Sequence, residues 1–110
     1  MAIDEVKLTL AVLRVIGSHT KDNPITGEAV GEMFGITQRK VAEIVREARL
    51  QGHKIGSSKS RPCGYFMARD ASELEGVILH LKNEATNILL AVSRLQDWTT
   101  TQPTIWEAEA

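Results

Sequence analysis

The hydrophobic positions along the chain fall into a helical rhythm, a short interruption and a second helical rhythm. From Ile3 to about Ser18, apolar residues stand at Ile3, Val6, Leu8, Leu10, Val12, Leu13, Val15 and Ile16, a spacing that predicts a helix with Gly17 as its stop. Lys21-Asp22-Asn23-Pro24 is a dense turn signal, because Asn and Asp bond their own backbone and proline presets φ. Thr26 is placed to cap a second helix that carries Glu28 in its first turn and ends at Gly35. Thr37 is placed to cap a third, with Val41, Ile44, Val45 and Ala48 on one face and Gly52 at its exit.

After Gly52 the period changes. Lys54-Ile55-Gly56-Ser57 and Tyr65-Phe66-Met67-Ala68 read as two short strands joined by a turn-rich, basic loop, Ser58 to Gly64, which together make a β-hairpin. From Ala71 to Trp98 the helical rhythm returns, with Leu74, Ile78, Leu81, Ala85, Ile88, Val92 and Leu95 spaced alternately four and three apart as a heptad seam. Thr99 to Ala110 has no period and is expected to be a flexible tail. The predicted fold class is therefore mainly α with a small β-hairpin (α+β). Residues 1–70 form one domain, 71–98 a long helix and 99–110 the tail.

At 110 residues there is room for one compact domain and an appended element. The net charge of −1 hides an asymmetry that changes the picture. Residues 37–69 carry Arg39, Lys40, Arg46, Arg49, Lys54, Lys59, Arg61 and Arg69 against only Glu43 and Glu47, whereas the segments on either side are net acidic. A concentrated positive segment suits a polyanion, and acidic flanks weaken non-specific attraction elsewhere.

Residues 27–46 have the layout of a helix-turn-helix. Val30 and Gly31 lie in the first helix, Phe34 before the turn, Gly35 at it and Ile36 just after, with Val41 and Ile44 completing the interior. A large side chain at Gly31 is expected to block close crossing of the helices, and Gly35 to take the left-handed conformation of the turn. With Val41, Ile44, Val45 and Ala48 inward, a 100° step per residue turns Arg39, Ala42, Glu43 and Arg46 outward, with Gln38 and Lys40 at the edges. Arginine and glutamine suit base edges and lysine suits phosphate. Gln38 and Arg39 are thus expected at bases and Lys40 at the backbone, and Glu43 is expected either to orient Arg39 or Arg46, the favoured role, or to accept from a cytosine amine. Thr37 opens this helix, and Ser58, Lys59 and Arg61 in the hairpin loop are expected at phosphates or a minor groove.

Residues 25–69 resemble the N-terminal winged-helix domain of bacterial biotin-ligase repressors and related regulators. The landmarks are Ile25-Thr26-Gly27-Glu28, Gly35-Ile36-Thr37, Thr37-Gln38-Arg39-Lys40-Val41, Leu50-Gln51-Gly52 and Gly64-Tyr65-Phe66-Met67. The resemblance implies a winged helix-turn-helix that binds DNA. Nothing in these 110 residues resembles the ligase's catalytic module, and Gln38 stands where that family commonly has a basic residue.

Other chemistry finds no motif. His19, His53 and His80 lack metal-ligand spacing, and the single Cys63 leaves neither a disulfide framework nor a structural zinc site. Asp4-Glu5 and Glu73-Glu75 read as first-turn acids that meet the helix dipole. There is no phosphate-binding glycine loop and no nucleophile with an identifiable base, so neither an enzyme nor a cofactor is expected. No apolar run spans a bilayer and the N-terminus lacks a signal-peptide pattern, so a cytoplasmic protein is expected.

In the seam, Ile78, Ala85 and Val92 share one core position and Leu74, Leu81, Ile88 and Leu95 the other, which suggests a homodimer. Leu74 to Leu81 is expected to pack on the domain, and Ala85 to Leu95 on a partner copy. Thr104-Ile105-Trp106-Glu107 suggests a docking peptide for another protein. The leading functional reading is a dimeric, sequence-specific regulator or repressor of bacterial or phage type. The alternatives are a replication or mobile-element accessory protein that recruits a partner, or a winged-helix interaction module without DNA contact.

Overall fold

The computed structural model describes residues 4–101, with side chains described through Trp98. Its elements run α1 (Glu5–Gly17), α2 (Gly27–Phe34), α3 (Gln38–Leu50), β1 (Ile55–Ser58), β2 (Gly64–Met67) and α4 (Ala71–Thr101). The fold is mainly α with one antiparallel hairpin, in the order expected. The chain divides into two compact units, Met1–Val77 and Ile78–Ala110.

Side-chain caps fix where the helices begin. Asp4 Oδ1 accepts from the Val6 amide at 3.0 Å, so α1 starts after Asp4. Thr26 Oγ1 accepts from Ala29 N and Thr37 Oγ1 from Lys40 N, each at 3.0 Å, as the two threonine positions predict. Asp70 Oδ1 accepts from the Glu73 amide at 2.9 Å and opens α4, a cap that the expectation of first-turn acids overlooked. α4 continues three residues beyond Trp98, because nothing at Thr99 to Thr101 breaks a helix. Residues 102–110, with the suggested docking segment at Trp106, lie outside the described residues.

The core of the first unit gathers one stripe from each helix. Leu8, Val12 and Ile16 from α1 meet Val30 from α2, Val41, Ile44, Val45 and Ala48 from α3, and Ile25 and Ile55. Burying a side chain of this size contributes roughly 1.5–3 kcal/mol each, so this cluster outweighs any polar contact on the surface. Gly35 ends α2 at φ +65° and donates its amide to the Gly31 carbonyl, and Ile36 N reaches the same carbonyl at 2.9 Å. A Cβ on Gly31 would stand 2.6 Å from the Ile36 carbonyl oxygen. The constraint at Gly31 is therefore the backbone of the turn itself, rather than the crossing of α2 on α3.

The hairpin keeps the pairing that the two expected strands imply, with its ladder shifted one residue toward the loop. Ile55 pairs with Met67 and Ser58 with Gly64, so Lys54 and Ala68 lie just outside the ladder, joined by a 2.8 Å bond from Ala68 N to Lys54 O. β2 also has a partner on its other edge. Ile25 and Tyr65 exchange both backbone hydrogen bonds, at 2.9 and 2.6 Å, and Met67 N donates to His19 O at 3.2 Å. The loop before α2 thus closes the outer edge of the hairpin and anchors it to the helical core.

The first turns of α4 belong to the first unit, and one residue of the segment expected to pack on the domain is buried there. Val77 is 8% exposed, whereas Leu74 is half-buried and Ile78 is 44% exposed. Gly56 makes the close approach possible: a Cβ there would lie 2.7 Å from Val77 and would also run into the Phe66 ring. Within the first unit the buried contact is therefore Val77, beside the seam, with the seam residue Leu74 half-buried. No helix among the described residues is long and apolar enough to cross a membrane.

Candidate nucleic-acid interface

α3 divides its polar residues among three directions. Burial of Val41, Ile44, Val45 and Ala48 sets the inner face, and the helical step then places Arg39, Glu43 and Arg46 along the outermost line. The Arg39 side chain is 91% exposed, with its Nε 4.0 Å from Glu43 Oε1, one turn on. That distance marks a weak surface pair that orients Arg39 without immobilising it. Gln38, Ala42 and Arg49 turn toward the hairpin, and Lys40 and Glu47 toward α1.

Between α3 and the hairpin runs an open groove of about 540 Å³. Gln38, Arg39, Ala42 and Arg49 form one wall, Ser57, Ser58, Lys59 and Tyr65 the other, and Thr26 and Gly27 close one end. Three cationic side chains line it and no acidic one does. Two other hollows around α3 differ. The one beside the α2–α3 turn holds Glu28 and Glu32 with Lys40, and the one toward α1 holds Glu5, Glu43 and Glu47 with Lys40 and Arg46.

The structure separates residues that the sequence had grouped. Arg39 and Gln38 stand with Ser58 and Lys59 around the groove; Arg61 is exposed in the hairpin loop, outside the groove lining, and Arg46 is exposed on the outer line of α3. Ser58 spends its hydroxyl proton on the Ser60 carbonyl at 2.9 Å, which shapes the loop. Lys40 faces away from the groove and pairs with Glu5 at 3.2 Å, so it straps α3 to α1. Thr37 uses its oxygen lone pair as a helix cap.

Two further members of the basic segment are committed within the fold. Arg49 Nε donates to the Ile55 carbonyl at 2.8 Å and ties the end of α3 to β1. Arg69 lies 3.1 Å from Glu73 and 4.0 Å from Asp22, and the hydrogen bond it donates to the Glu73 carboxylate raises its pKa above the usual arginine value. Arg49 was not among the expected site residues. Its position seven residues after Ala42, on the same face of α3, was the available signal.

Of the expected dimerisation residues, Ile78, Ala85, Ile88, Val92 and Leu95 are exposed in the single chain and Leu81 is half-buried. Cys63 is exposed and lines the groove as a free thiol. Among the described residues, no group of three or more His, Cys, Asp and Glu side chains is arranged to hold a metal ion. Comparison with protein-family models, with curated proteins and with solved structures returns no match.

Proposed function

We propose that this chain is a sequence-specific double-stranded DNA-binding protein, a transcriptional regulator of bacterial or phage type that acts by occupying its site rather than by catalysis. In this reading α2 and α3 are a helix-turn-helix, α3 enters the major groove and the β1–β2 hairpin is the wing. The observation that carries it is the acid-free groove between α3 and the hairpin, which sets Arg39, Arg49 and Lys59 together, whereas two neighbouring hollows along α3 contain glutamates. A phosphate backbone needs such a concentration of positive charge, and glutamates nearby would oppose it. Arg39 is long, exposed and at the outermost line of α3, the position from which a guanidinium meets a guanine edge with two hydrogen bonds. Gln38 at the lip of the groove suits an adenine edge, and Lys59 and Arg61 suit phosphates beside it.

The test is binding of the full chain to random-sequence and genomic DNA fragments at two salt concentrations, wild type against Arg39→Ala and Lys59→Ala. Each phosphate contact adds about −0.9 to the slope of log affinity against log salt, so Lys59→Ala should flatten the slope by about one unit on every sequence. Arg39→Ala should instead cost on the order of 10- to 100-fold on the preferred sequence and relax selectivity. Absence of salt-sensitive binding by the folded wild type would overturn the reading and leave the same fold as a protein-interaction module.

A further inference from the structure

From Ile78 to Trp98, α4 presents an apolar stripe that stands partly exposed among the described residues. Ile78, Ile88, Leu89, Val92 and Leu95 are 43–68% exposed, and Ala85 is exposed between them. These residues and Trp98 present on the order of 600 Å² of apolar surface, the upper end of what a monomer shows and most of the ~800 Å² one partner brings to a stable interface. Ile78, Leu81, Ala85, Ile88, Val92 and Leu95 follow the four- and three-residue spacing of a seam that two helices share, with Leu89 on its flank and Leu79 and Leu90 exposed elsewhere on the helix.

We propose that a second copy of this chain covers this seam, and that the two helices run antiparallel. The order of side-chain sizes selects the direction. In a parallel, in-register pair each residue meets itself: Ala85 would face Ala85 and leave a void, and Ile88 would occupy the position at which isoleucine disfavours two strands. In an antiparallel pair centred between Thr86 and Asn87, Ala85 faces Ile88, Leu81 faces Val92 and Ile78 faces Leu95. Each small residue then meets a large one, and the layers fill evenly. The flanking positions accept this direction as well: Lys82 falls beside Leu89, along which its methylenes lie, and Glu84 beside Ala91, so no like charges meet.

The pairing stands on α4 alone and not on DNA binding.

Single-cysteine chains test both partner and direction. In a Cys63→Ser background, which removes the only native thiol, Leu81→Cys and Val92→Cys are oxidised separately and as a mixture. The antiparallel pair brings residue 81 of one copy against 92 of the other, and keeps each about 17 Å from its own counterpart, far beyond the ~7 Å limit for a disulfide. Cross-linked dimer in the mixture, with little in either variant alone, is the expected result. Self-cross-linking of Leu81→Cys or Val92→Cys alone overturns the direction. Light scattering of the unsubstituted chain is independent of these variants: a mass twice the 12.1 kDa of one chain is expected, and a monomer at high micromolar concentration overturns the proposal.

Discussion

The Lys40 ammonium lies 3.2 Å from Glu5 Oε1, so a cation of α3 is held by the first turn of α1. The pair is partly exposed, with Lys40 at 34% and Glu5 at 72%, and ion pairs of this kind contribute about 0.2–1 kcal/mol. Its consequence is directional. Lys40 points away from the groove that Arg39, Arg49 and Lys59 line, and a phosphate would have to compete with Glu5 for it. Lys40→Ala should therefore lower DNA affinity by less than about threefold, against tenfold or more for Arg39→Ala, when both are titrated on one fragment. Equal losses would mean that Lys40 leaves Glu5 to meet DNA.

Thr37 is expected to matter through its cap. Its Oγ1 accepts the Lys40 amide at 3.0 Å and satisfies one of the open amides at the N-terminus of α3. Thr37→Ala should cost about 1 kcal/mol, a melting point lower by several degrees for a chain of this size, while Thr37→Ser keeps the acceptor and should recover most of it. Calorimetry on the two variants checks this. A drop in both alike would point to the threonine methyl rather than the oxygen.

Most of this architecture was legible because it is written in residues whose conformational preferences are local. Thr26 and Thr37 before helices, Gly35 after one, and four apolar residues on one face of α3 each act within a few positions of themselves. The features that escaped are made by single contacts between distant segments. Ile25 pairing with Tyr65 has no period, and Gly56 looks like any strand glycine until Val77 is set against it. The same reason explains the candidate site. Periodicity put Arg39 on the outer face correctly, but which basic residues are already tied to Glu5, Ile55 or Glu73 depends on neighbours that sequence spacing does not bring together.

Arg49 illustrates the energetic side of that distinction. Its Nε donates to the Ile55 carbonyl at 2.8 Å in a partly buried setting, and a charged hydrogen bond of this type is worth roughly 1.5–3 kcal/mol. Lysine lacks the planar fork that reaches both the carbonyl and the groove wall. Arg49→Lys should thus fail to restore the stability lost in Arg49→Ala, as measured by urea denaturation with unchanged m-value. Full recovery by lysine would show that charge at this position, and not the geometry of the bond, is what holds α3 to β1.

Two glycines in helices make opposite predictions from the same substitution. In an exposed helix interior alanine is favoured over glycine by about 1 kcal/mol, since glycine loses more backbone freedom on folding. Gly76 in α4 is such a site: it is exposed, and a Cβ there meets nothing within 4 Å, so Gly76→Ala should raise stability by roughly 0.5–1 kcal/mol. Gly31 in α2 has the same propensity gain available but none of the space. Its Cβ would lie 2.6 Å from the Ile36 carbonyl oxygen, a backbone atom fixed by its place between the Gly35 turn and the Thr37 cap. Relieving that overlap requires the turn to shift, which weakens the bond from Ile36 N to Gly31 O and the seating of α3; overpacking of this kind costs about 1–3 kcal/mol. Gly31→Ala should therefore melt below the wild type by several degrees while Gly76→Ala melts above it. If Gly31→Ala were neutral, the α2–α3 turn would have slack enough to reposition α3, and the fixed placement of Arg39 and Gln38 around the groove would lose its structural basis.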